Sequence, residues 1–189
     1  MAVHGWLSSA LQPLGLSLSI SWLGTVGSAV AWLVWMLAYS PIADRLATRL
    51  IAKPPTLGAF RALQESTLKL VIGIIVAWIL GGFLEEVFLR GVVLQAVERA
   101  ASTVVPASVA AGLGVVTAAG IAGLLHLYQG RRAAIVITQL SVLFGILFVV
   151  SGHNLWSVIL CHGLYDTVAF IRFATKTSKY SKLDASPQI

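Results

Sequence analysis

The chain has 189 residues, 58% of them hydrophobic and only 11% charged, with a mean hydropathy of +0.89 and a formal net charge of +6. A soluble domain carries roughly 25% charged residues, so this composition excludes an ordinary soluble protein and calls for a lipid environment. The positive surplus does not point to nucleic acid, because the basic residues gather between apolar runs, where they set membrane orientation.

Residues 1–19 are rich in Ser and Leu, contain Pro13 and hold no Lys or Arg, which argues against a cleaved signal peptide. They read as an interfacial or partly membrane-embedded segment, with His4 solvated. Residues 20–39 carry no charge and suffice for one span of about 30 Å, with Trp22 and Tyr39 as interfacial anchors. Residues 41–69 collect Arg45, Arg49, Lys53, Arg61 and Lys69 around Pro54 and Pro55, which predicts a cytoplasmic loop of two short amphipathic helices. An apolar run then leads to Glu85, with Gly81 and Gly82 offering either a kink or a close helix approach, and that helix is predicted to reach about Val97. Residues 100–130 are charge-free and rich in Ala and Gly, and Arg131 and Arg132 close that span. Residues 133–150 make another span, Ser151 to Asn154 a turn, and residues 155–174 the last span. The predicted fold is an all-α polytopic membrane bundle of five to six transmembrane helices. Residues 1–69 hold the first span and basic loop, 70–175 the helical core, and 176–189, with Lys176, Lys179 and Lys182, a cytoplasmic tail. Cys161 permits no internal disulfide and reads as a buried thiol, since its neighbour His162 faces elsewhere on a helix.

Ionisable groups at membrane depth cost about 2.5–3.5 kcal/mol each, so those in the core segment matter most. On a helix, Glu86 and Arg90 share a face with the acid first, the better order for an ion pair, while Glu85 points about 100° away. Glu85 is then a carboxylate available for proton transfer, although a structural ion pair with a spare acid explains the same stretch equally simply. His162 and Asp166 stand one helical turn apart on the last span, and His126 ends another. Convergence of these groups in one interior cavity keeps each of them out of lipid. His153 lies in a turn and is left out. Such a cavity can activate a water and donate hydrogen bonds to an oxyanion, as peptide hydrolysis requires. Two histidines and a glutamate are also a zinc ligand set, but the HExxH spacing is absent. Proton transport is the third use of the same groups. Counting along the helices puts Glu85 deep and His126 near the cytoplasmic end, so a break at Gly81 and Gly82 or a water-filled funnel is needed to bring them together.

Glu85, Glu86 and Arg90 resemble the EExxxR motif of the CAAX protease and bacteriocin-processing (CPBP) family of intramembrane endopeptidases. The stretch from Gly123 through His126 to Gly130 resembles the second motif, Phe-xxx-His. His162 and Asp166, preceded by Asn154, Leu155 and Trp156, resemble the third, His-xxx-Asn or His-xxx-Asp. The resemblance spans roughly residues 70–175 and implies an all-helical intramembrane protease of glutamic type. In it Glu85, assisted by His126, activates water, His162 and Asp166 stabilise the oxyanion, and Glu86 with Arg90 supports the site. No cofactor is required on this reading, and zinc is the less favoured alternative. Ala122 stands where the family has Phe and is expected to shape the substrate groove. The implied partners are the lipid bilayer and a membrane-tethered peptide or protein, with peptide maturation, self-immunity or processing of C-terminal sorting tails preferred to a prenylated substrate. The implied location is a bacterial or archaeal cell membrane, crossed several times, with the C-terminus cytoplasmic. The competing readings are a non-catalytic immunity or scaffold protein of the same fold and a proton or ion carrier. Nothing in the sequence speaks to oligomeric state.

Overall fold

Polar side chains at the apolar boundaries decide where each helix starts. Ser21 accepts a hydrogen bond from the Gly24 amide at 3.3 Å and opens helix α1, Trp22–Leu50. Ser66 accepts one from the Lys69 amide at 3.2 Å and opens α2, Thr67–Ala101. Helix α3, Ala107–Leu125, follows Pro106, and α4, Arg131–Val150, follows Gly130, whose φ of 94° makes the turn that reverses the chain. Asn154 Oδ1 accepts from the Trp156 amide at 3.1 Å as α5, Leu155–Asp184, begins. The computed structural model describes residues 11–17 and 21–184, with side chains described to residue 175. Five helices in it are long and apolar enough to cross a membrane, and among the described residues there is no strand. The expected all-α polytopic bundle is what the chain builds. His4 and most of the N-terminal segment lie outside the described residues.

Helix α1 packs on α4 and α5, α3 lies between α2 and α4, and the middle of α2 crosses α5. Two sequence expectations are corrected here. Helix α1 does not end before Pro41 but continues to Leu50, so the predicted loop of two amphipathic helices shrinks to an irregular link and one 3-10 segment, Gly58–Gln64. Proline removes a single intrahelical hydrogen bond, and packing outweighs it. Ala43 and Ala47 are fully buried, Tyr39 Oη donates to Gln139 Oε1 at 3.0 Å, and Gln139 Nε2 donates to the Ala43 carbonyl at 3.3 Å.

The second correction concerns α2, which does not break at Gly81 and Gly82. Trp78–Glu85 and Val87–Leu94 are wound in wide π-helical turns, a rare geometry that recurs at functional sites. Wider turns advance less per residue, so counting from Lys69 overstates how deep Glu85 lies. The glycines serve the other purpose foreseen for them, close approach. A methyl on Gly81 would stand 3.0 Å from Asp166 Oδ2, and one on Gly82 would stand 3.4 Å from Gly163 Cα. A methyl on Gly163 would run into the Trp78 ring, which is pinned by its Nε1–H donating to Thr167 Oγ1 at 3.0 Å. Gly163→Ala should therefore destabilise the protein by about 1–3 kcal/mol and depress activity, because α5 must shift relative to α2. Gly112→Ala, in open space, is the control, and thermal unfolding in detergent compares the two.

Candidate active site

The π-helical turns of α2 send the two glutamates to different places. Glu86 is fully buried and Arg90 is 1% exposed. Arg90 Nη1 donates to Glu86 Oε1 at 2.9 Å, as the spacing predicted. The same oxygen accepts a second hydrogen bond, at 2.6 Å, from Nδ1 of His162 on α5. Arg90 Nη2 is held in turn by Ser141 of α4, through its carbonyl at 2.7 Å and its hydroxyl at 2.6 Å. Phe144, one turn further along α4, stacks on the His162 ring at 4.6 Å and lies 5.5 Å from the Arg90 guanidinium carbon. His162 is thus fixed by a charge-assisted hydrogen bond on one edge and an aromatic face on the other.

Glu85 faces a cavity of about 720 Å³ that is also lined by His126, His162 and Asp166. His126 Nε2 stands 4.0 Å from Glu85 Oε2. That is too long for a direct hydrogen bond and suits two groups sharing one water. His126 Nδ1 lies 2.8 Å from the Ala122 carbonyl, an acceptor only, so Nδ1 carries the proton and donates to it. In the neutral ring the Nε2 lone pair then faces Glu85. Across the cavity His162 Nε2 lies 3.6 Å from Asp166 Oδ2. The structure therefore brings Glu85, His126, His162 and Asp166 to one cavity, and the depth conflict raised by counting along helices disappears.

Ala122 does not shape the groove. Its side chain is fully buried in the core and does not line the cavity, and its contribution is the carbonyl that fixes His126. His126 stands just past the helix end at Leu125, where its ring can turn back to the Ala122 carbonyl while the Ala122 methyl stays in the core. Ser141 and Phe144 were missed. They read as one hydroxyl and one aromatic in an apolar span, with nothing local to separate them from packing. His153, set aside as a turn residue, pairs through Nε2 with Glu98 Oε2 at 2.9 Å, away from the cavity. Among the described residues no group of three or more His, Cys, Asp and Glu is arranged to hold a metal.

A family model, type II CAAX prenyl endopeptidase Rce1-like, matches residues 67–168, more than half of the chain. The chain belongs to the Rce1-like family. The matched region runs from the start of α2 to just past Asp166, so every motif-bearing residue of the site lies inside it, while α1 lies outside. No curated protein and no solved structure matches the chain. Family and helices together make this Rce1-like chain a multi-pass integral membrane protein of a CAAX protease family.

Proposed function

We propose that the protein is an intramembrane endopeptidase of glutamic type that hydrolyses a peptide bond in a membrane-tethered protein or peptide. The observation that carries this reading is the Glu85–His126 pair, 4.0 Å apart on the wall of a cavity within an otherwise apolar bundle. A water held between them donates one hydrogen to the Glu85 carboxylate and the other to His126 Nε2, which turns its lone pairs toward the cavity. Glu85 takes the proton as the water oxygen attacks the scissile carbonyl carbon. The oxyanion so formed meets the edge of the cavity where His162 Nε2 and Asp166 lie, and a protonated His162, its Nδ1 hydrogen already given to Glu86, supplies the hydrogen bond from Nε2. Glu85 then passes its proton to the departing nitrogen, the C–N bond breaks, and a carboxylic acid and an amine leave. Every step uses this chain's own groups. Zinc on the same residues is the less favoured alternative.

The matched family model is named for CAAX prenyl endopeptidases, so a prenylated substrate, set aside on sequence grounds, becomes the first to try. Leu57, Phe60, Leu63, Phe170 and Phe173 give the cavity an apolar wall suited to such a chain. Asp44, Pro55 and Arg132 line the cavity near the basic segments, which supports a mouth on the cytoplasmic side with the C-terminus there too. The experiment is a comparison of membrane-protein termini in cells expressing wild type or Glu85→Ala at equal levels. One or a few precursors should accumulate uncut in the variant. Unchanged termini, alongside a phenotype on deletion, would replace this reading with the non-catalytic binding protein.

A further inference from the structure

Helix α4 opens with Arg131 and Arg132 after Gly130, which provides no side-chain cap. Two cations in a first turn oppose the helix macrodipole, whose N-terminal end is positive, so the position needs an anion. The anion present is Asp44, reaching from α1. Arg132 Nε donates to Asp44 Oδ1 at 3.0 Å, and Nη2 donates to Oδ2 at 2.6 Å, the fork-on-carboxylate geometry of a bidentate pair. The two partners differ in their surroundings. The Arg132 side chain is 18% exposed and that of Asp44 51%, and both line the cavity that contains Glu85. A guanidinium set in the cavity wall is therefore occupied by a carboxylate that water can readily reclaim. Tyr128 and Gln129 line the same cavity and add polar groups there, the Gln129 amide donating to Tyr128 Oη at 2.8 Å. None of these residues hydrogen-bonds to Glu85, Glu86, Arg90, His162 or Asp166 among the described contacts.

We propose that Arg132 is the receptor for the free C-terminal carboxylate of the substrate, with Asp44 as a resident stand-in that the substrate displaces. The assignment rests on the protease reading and adds a rule for which bond is cut. A tail whose end is tied at Arg132 presents to Glu85 a bond a fixed distance upstream, so the enzyme selects short C-terminal tails and rejects long or blocked ones. Exchange is favourable because like replaces like: the guanidinium keeps a bidentate carboxylate, and Asp44 passes to water, where an exposed ion pair loses little.

The test uses the full chain in lipid nanodiscs and two fluorescent farnesylated peptides ending in a CAAX sequence, one with a free terminal carboxylate and one amidated. Binding is read by anisotropy on the Glu85→Gln protein, so that nothing is cut, and cleavage on the protein with Glu85 intact. The free acid should bind about tenfold more tightly than the amide. Adding Arg132→Gln should bring that ratio to near one, and adding Asp44→Asn should widen it by removing the competitor. A ratio that survives Arg132→Gln, or equal or no binding of both peptides, overturns the assignment. In that case the pair is a strut between α1 and α4, and both substitutions lower thermal stability alike. The two readings fail separately: carboxylate-dependent binding with no cleavage would sink the protease reading alone, while cleavage indifferent to the terminal group would sink the role of Arg132 alone.

Discussion

Glu85→Gln should reduce cleavage by the reconstituted protein about a thousandfold or more, within the upper range for loss of a general base. Gln keeps the size and hydrogen-bonding reach of Glu but cannot take a proton, so the water at the cavity wall stays unactivated. His126→Ala should cost less, about a hundredfold, because it removes the second acceptor that orients that water and leaves the base in place. The decisive measurement is the double variant. Both residues act on one water, so Glu85→Gln with His126→Ala should be scarcely slower than Glu85→Gln alone, as is usual for residues that work as a unit. Multiplied losses would show that the two act on separate steps. The single variants should fold normally: Glu85 and His126 are 19% and 20% exposed, 4.0 Å apart, and share no direct hydrogen bond whose loss would leave a buried group unpaired. Unfolding temperatures close to wild type would confirm that the loss is chemical.

What could be read from the sequence, and what could not, divides along a physical line. Local relationships on one helix were legible. The Glu86–Arg90 pair and the common face of His162 and Asp166 both follow from spacing and appear in the structure. Relationships set by tertiary packing were not. The Glu86–His162 hydrogen bond joins residues 76 positions apart, and nothing in either segment announces it. Pro41 looked like a helix end, yet Ala43, Ala47 and Gln139 hold the helix through it. The π-helical winding of α2 has no signature that regular periodicity would reveal, and neither does the 4.0 Å approach of Glu85 to His126. Ala122 was judged by its side chain, when the structure uses its carbonyl. Ser141 and Phe144 sit in an apolar run whose composition is fully explained by lipid, so only the arrival of Arg90 and His162 beside them shows what they hold.

The other large effect is expected at Glu86, through stability first and chemistry second. Glu86→Ala leaves the Arg90 guanidinium, 1% exposed, with only the Ser141 carbonyl and hydroxyl as partners. Removing one member of a buried ion pair strands the other, at about 3–5 kcal/mol. The network has no spare partner to absorb the loss, since Glu86 Oε2 and Arg90 Nε already lack hydrogen bonds among the described residues. Replacing both charges by apolar side chains of similar size, Glu86→Met with Arg90→Leu, removes the stranded charge and should recover most of the lost stability. It should not recover activity. Without Glu86, His162 keeps the Phe144 face at 4.6 Å but loses the carboxylate that accepts from Nδ1 and favours a ring protonated on both nitrogens, so Nε2 is no longer kept as a donor toward the cavity. Thermal unfolding in detergent and peptide cleavage, measured on the single and double variants, separate the two roles. If activity returns together with stability in the double variant, Glu86 does nothing for His162 and the buried pair is packing alone. If stability returns and cleavage does not, the carboxylate that neutralises Arg90 is also the group that aims the oxyanion donor.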